Sequence, residues 1–143
     1  MDITAVVHTL VPVVAAMVLN GIIYGLGWNS EQNDNSMNNK YLPPGYVIAG
    51  VWVIILGLLG YTHYLVYPSY ASAIIVLAVL YCLAYPFLTG GLRGDNADIL
   101  NLISLVIAIA VILSVGMKDV RAIVYTIPFL LWTTYVNIAT RVP

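Results

Sequence analysis

Charge is what this chain lacks most. Six acidic and five basic residues among 143 make 8% charged residues, where a soluble domain carries roughly a quarter. Such a surface cannot face water all round, and a net charge of -1 excludes the basic footprint of a nucleic-acid binder. There is one cysteine, Cys82, so no intrachain disulfide is possible and the redox compartment is not readable. Histidine occurs twice, as His8 and His63. No nucleophile–base set, phosphate loop or metal-ligand spacing occurs. The long apolar runs hold no ionisable side chain except those two imidazoles, which argues against a pump or proton-coupled transporter.

What fills the space is hydrophobic, 62% of the residues. The uncharged stretches cover 3–30, 41–92, 99–117 and 122–140. A helix needs about 20 apolar residues to cross the hydrocarbon, so the second stretch accommodates two crossings and the total is five. The expected fold class is all-α, a five-transmembrane-helix bundle forming one domain over 1–143. Its spans are placed near 4–28, 44–66, 71–92, 97–117 and 120–142, with Pro68 and Ser69 making the turn between the second and third. The first run does not read as a cleaved leader, because its charged end is Asp2 and it is too long. With Lys118 and Arg121 on the N-terminal side against Lys40, Arg93 and Arg141 on the other, the positive-inside rule leaves orientation open. The segment 29–43, with "NSEQNDNSMNN" at its start, is the one long connection. It reads either as a solvent loop or as a lid capping the bundle.

Depth and spacing single out particular side chains. In the second span Gly50, Gly57 and Tyr61 share a stripe, with Gly60 beside it, and small residues of this kind let helices approach closely in lipid. Trp52, Leu56, Leu59 and His63 lie roughly opposite. Trp52 sits about eight residues, or ~12 Å, inside the face carrying the long loop. Tyr85, Trp132 and Tyr135 fall at similar depth, too deep for the interfacial aromatic belt that accounts for Trp28, Tyr41 and Tyr46. Either these rings pack as an ordinary bundle core, or several helices share an aromatic cavity on the loop side.

The stretch "YLPPGYVIAGVW…GYTHYLV" resembles the second-helix signature of the TspO/MBR family, the translocator proteins. Pro43, Pro44, Val47, Val51, Trp52, Gly60, Leu65 and Val66 fit in register. "DVRAIVYTIPFLLWTTY" is similar to the fifth helix through Arg121, Ala122, Pro128, Phe129, Leu130, Trp132 and Tyr135. "AYPFLTGG" is similar to the third through Ala84, Tyr85, Pro86 and Gly91. The resemblance covers essentially the whole chain and implies a membrane-embedded, commonly dimeric five-helix bundle. Its first loop caps a cavity for porphyrins and related tetrapyrroles, or for sterols such as cholesterol, with roles in their transport or turnover. It also implies an outer mitochondrial or bacterial outer membrane, and light-dependent porphyrin degradation in some members. No obligatory cofactor is expected; porphyrin, haem or sterol would be the ligand, and the bilayer and a second copy or a membrane complex the partners.

The expected lining is Trp28, Tyr41, Tyr46, Ala49, Trp52, Leu56, Cys82, Tyr85, Trp132 and Tyr135. Several positions depart from the family. Tyr41 and Tyr46 replace tryptophans, Gly50 a proline, Leu56 a tyrosine and Cys82 an asparagine. Thr140 replaces another asparagine while Asn137 lies out of register, so a polar cavity contact is expected to be lost. A small assembly subunit that kept the fold and lost the ligand is therefore the alternative function. Two lesser sites are candidates. Leu131, Tyr135 and Arg141 satisfy the permissive cholesterol pattern, against a helix-end arginine snorkelling to the headgroups. His8 and His63 lie at similar depth on adjacent spans as weak metal or haem-iron candidates. Asp95 and Asp98 read as acids suited to the start of the fourth span.

Overall fold

A computed structural model describes residues 2–29 and 40–142. The chain opens with α1, Ile3–Gly25, whose N-cap Asp2 accepts the Thr4 backbone N–H at 3.0 Å. α1 ends in a turn through Leu26 and Gly27, the latter at φ +75°, so the helix stops three residues short of the expected Trp28. Most of the anticipated cap, 30–39, lies outside the described residues. α2 spans Gly45–Val66. The two prolines before it lack the N–H that a helix interior needs, so the helix begins after them. It ends ahead of Pro68, which biases the preceding residue away from helical backbone.

α3, Tyr70–Leu88, starts with a reciprocal cap in which Ser69 and Ser72 each accept the other's backbone N–H. It ends four residues before the expected Leu92. Beyond Thr89 the backbone turns left-handed at Gly90, Gly91, Leu92, Gly94 and Asn96, and that conformation cannot continue a right-handed helix. α4 is Ala97–Lys118, with Asp98 in its first turn and Lys118 in its last, each at the end its charge favours.

The last segment differs from the single span expected over 120–142. Val120–Tyr125 is a 3-10 helix and only Ile127–Ala139 is α-helical, here α5. Pro128 is the reason: it cannot donate to the Val124 carbonyl, and its ring crowds that carbonyl. The preceding turn tightens to shorter hydrogen bonds such as Thr126 N–H to Ile123 O at 2.8 Å. Four helices, α1 to α4, are long and apolar enough to cross a membrane, and α5 is a shorter apolar helix. No strand occurs among the described residues.

The helices pack in chain order, α1 on α2, α2 on α3, α3 on α4 and α4 on α5, and the 3-10 segment fills in against α2 and α4. The most buried side chains are Ile55, Leu59, Val66, Ile75, Val111, Val115 and Phe129. Large apolar residues such as Val11, Met17, Leu77 and Leu113 point outward, as expected where the solvent is hydrocarbon. Close approach supplies the cohesion. At Gly60 a side-chain Cβ would lie 2.3 Å from the His8 carbonyl oxygen, and at Gly57 3.1 Å from Val13. Gly50, expected on the same seam, has nothing within 4 Å of such an atom, so the seam is Gly57 and Gly60 only.

Candidate functional site

Helical spacing on α2 sends Ala49, Trp52 and Leu56 inward, where they meet Cys82 and Tyr85 of α3. With Ala16 and Asn20 of α1 these residues enclose a narrow cavity of about 90 Å³. A second, larger space of about 370 Å³ opens on the other side of Trp52 and Tyr85. Its far walls are Asn101 and Ser104 of α4 and Trp132, Thr133 and Asn137 of α5. Trp52 and Tyr85 line both spaces and form the partition between them. Of the two readings the residues left open, core or cavity, the structure has the rings doing both. Trp52 meets Phe129 edge-on at 6.3 Å and 62°, while its other flank borders space.

The polar groups here come from amides buried inside otherwise apolar helices. Asn101 is 5% exposed and Asn137 7%. The Tyr85 hydroxyl donates to Asn101 Oδ1 at 2.6 Å, and Asn137 Nδ2 donates to the Asn101 carbonyl at 2.7 Å and to the Thr133 carbonyl at 2.9 Å. That chain ties α3, α4 and α5 together. It leaves two buried atoms with no protein partner among the described residues, the Asn137 Oδ1 acceptor and the Trp132 Nε1 donor. Native structures rarely leave such groups unpaired, because each carries a desolvation penalty of roughly 1–3 kcal/mol. Both belong to side chains that line the larger cavity.

Asn137 overturns one expectation directly. Its register made the polar contact look lost, yet the α5 helix starts later than a continuous fifth span would, and Asn137 faces inward beside Thr140. Sequence reasoning passed over Asn101 and discounted Asn137 on its register; an amide within an apolar span stays there only with partners, and that signal applied to both.

The remaining expected residues are not gathered at the cavity. Tyr46 is 70% exposed and faces outward. Tyr41 is also exposed, with Lys40 Nζ 4.9 Å from its ring centre, and its carbonyl accepts the Tyr135 hydroxyl. Tyr135 itself stacks tilted against Trp132 at 5.6 Å on the outer side. Trp28 packs edge-on against Phe87 at 5.5 Å and lies across Gly91, where a Cβ would come within 2.7 Å of the indole. Trp28 thus clamps the α3–α4 loop, which brings Leu92, Arg93 and Gly94 to the mouth of the larger cavity. Arg93 is the cation among the described residues that line it. Leu131 and Tyr135 of the sterol pattern line an outward groove with Pro128, and Arg141 is exposed at the helix end. His8 and His63 do meet, but among the described residues no third His, Cys, Asp or Glu joins them as a metal set.

Apolar helices of membrane-spanning length, wrapped around an aromatic cavity with a buried amide network, define an integral membrane protein of the small helical-bundle class. The chain belongs to the TspO/MBR family, whose family model matches residues 8–141. Comparison with curated proteins and with solved structures yields no match.

Proposed function

We propose that this protein is a TspO-like binding protein for tetrapyrroles, porphyrin or haem, or for sterol-type lipids, acting in their transport or turnover. The observation that carries the reading is the pair of buried, unpartnered polar atoms, Trp132 Nε1 and Asn137 Oδ1, on residues lining a cavity of about 370 Å³. Ligand pockets of roughly 300–1,000 Å³ with apolar and aromatic walls and few polar groups have this make-up. Trp52, Tyr85 and Trp132 offer faces and edges for a flat ring. Arg93 at the mouth would meet an acidic substituent.

The five-span topology belongs to the same reading. The 3-10 segment contributes roughly 2.0 Å per residue and α5 roughly 1.5 Å per residue. Together they reach about 31 Å, matching the ~30 Å hydrocarbon thickness, so the fifth crossing is completed in two pieces. A homodimer in an outer mitochondrial or bacterial outer membrane follows by family analogy. The alternative, an assembly subunit without ligand, is favoured by the loss of family tryptophans at Tyr41 and Tyr46. The open cavity weighs against it.

The test is titration of detergent-purified protein with protoporphyrin, following tryptophan quenching and the Soret shift. Saturable micromolar binding weakened by Trp52→Leu is expected. No binding by a folded sample would refute the tetrapyrrole reading and move a sterol competition and a partner pull-down to the front.

A further inference from the structure

The two histidines meet far from the cavity. Nδ1 of His8 lies 2.8 Å from Nδ1 of His63, with ring centres 4.8 Å apart. At that distance one nitrogen donates its proton and the other accepts it. The spacing is too short for both to ligate one ion: tetrahedral zinc at 2.0–2.1 Å from each nitrogen needs them about 3.3 Å apart. The pair joins the second turn of α1 to the last turn of α2. A parallel tie lies just outside, where the Tyr64 hydroxyl donates to Asp2 Oδ2 at 2.8 Å.

Directly behind the pair the backbone is weakened. Pro12, inside α1, has no N–H to give the His8 carbonyl four residues earlier. That carbonyl instead faces Gly60, whose missing Cβ would sit 2.3 Å away. That close helix approach stands where a helical hydrogen bond would be. Residues 3–11 thus pack on α2 at Gly60 and are tied to it by these side chains, ahead of a proline break. They form one wall of an outer groove of about 350 Å³, whose other walls include Ile75 and Val79 of α3.

We propose that His8 and His63 form a proton-operated clasp, which holds the first turns of α1 on α2 and releases them about Pro12 when both imidazoles are protonated, widening the outer groove. A neutral or singly protonated pair keeps one donor facing one acceptor. A doubly protonated pair has two donors and two positive charges facing each other, so the bond is lost. The clasped form therefore binds fewer protons than the released form, and acidification favours release. The titratable groups around the pair are Asp2 of α1, Tyr64 of α2 and Tyr67 in the turn, the tyrosines standing 5.9 and 5.7 Å from the His8 ring. α3 presents Ile75, Val76 and Val79, and the 3-10 segment brings Tyr125 against Tyr61. Asp2 favours protonated imidazole but is committed to Thr4 and Tyr64.

The test uses the full chain in lipid nanodiscs, with spin labels at Ile3→Cys and Tyr70→Cys in a Cys82→Ala background. The interlabel distance is followed from about pH 8 to about pH 5, the window in which imidazoles change charge. The expected result is a lengthening of several ångström on acidification, at unchanged helix content, that disappears in both His8→Gln and His63→Gln. An unchanged distance in the parent would overturn the clasp, and so would a response that survives His63→Gln. A response abolished by Asp2→Asn but not by the histidine changes would assign it to the outer tie instead. Stoichiometric zinc uptake that locks the distance at acid pH would also overturn the proposal in favour of a metal site. The parent titration needs neither histidine variant to fold.

Discussion

At the scale of single residues, Asn137 offers a way to separate the proposed ligand binding from folding. Asn137 donates to carbonyls that already serve the helical ladders of α4 and α5, so replacing it removes hydrogen bonds without stranding an acceptor. Hydrogen bonds between membrane helices average about 0.6 kcal/mol in double-mutant cycles. Asn137→Leu is therefore expected to change the Tm of the ligand-free protein only slightly while weakening protoporphyrin binding severalfold. Parallel melting and Soret titration of that variant check both halves. Asp2 makes a second prediction. The Thr4 N–H first, and the Tyr64 hydroxyl second, hold its carboxyl below the usual carboxylate range. A carboxylate held lower in the folded state stabilises it above the ordinary value of about 3.9, and that contribution fades as pH falls through the depressed value. The protection of the Thr4 amide, taken relative to its intrinsic exchange rate at each pH, is expected to fall in that acid range, and in Asp2→Ala, which removes the acceptor, to be lost already at neutral pH.

At the scale of elements, the α1–α2 seam distinguishes glycines that sequence spacing treats alike. Gly60→Ala would drive a methyl into the His8 carbonyl, a backbone atom that cannot swing aside, and overpacking of that kind typically costs 1–3 kcal/mol. Gly50→Ala meets nothing and gains the ~1 kcal/mol by which alanine exceeds glycine in a helix. Thermal melting in one detergent should therefore move in opposite directions for the two variants. Hydrophobic runs and small-residue spacing made the helices and the second-helix seam legible beforehand. Two features were not. The split of the last segment arises from Pro128 acting on a turn whose other requirements are tertiary. The left-handed residues between Gly90 and Asn96 stop α3 early, and Trp28 packs across Gly91 there, a contact from a distant part of the chain.

At the scale of the whole molecule, the proposed binding in the cavity between α2, α3, α4 and α5 would make stability depend on its occupant. A ligand that binds only the folded state stabilises it by about 2.7 kcal/mol at a hundredfold excess over Kd. Protoporphyrin is expected to raise the Tm of the parent protein, and Trp52→Leu to reduce that rise. A ligand-induced rise equal in the two proteins would place the binding elsewhere, for example in the outer groove beside Leu131 and Tyr135.

The sequence by itself determined the solvent and the class. Eight per cent charge and runs of membrane-spanning length allow no water-facing fold, and the motifs around Pro43–Pro44–Trp52 and Pro128–Trp132 carry the family. Depth counting along helices also put Trp52, Tyr85, Trp132 and Tyr135 in one layer, because rise per residue is set by backbone geometry alone, but it could not tell that Tyr135 lines an outward groove. Only the tertiary structure decided which way each side chain faces. A periodic stripe fixes neighbours on one helix but not its rotation against the next. Tyr46 turned outward and Asn137 inward, and Arg93 came to the mouth of the larger cavity. The paired histidines likewise became visible only when α1 and α2 closed at Gly60, a contact between residues more than fifty positions apart in the chain.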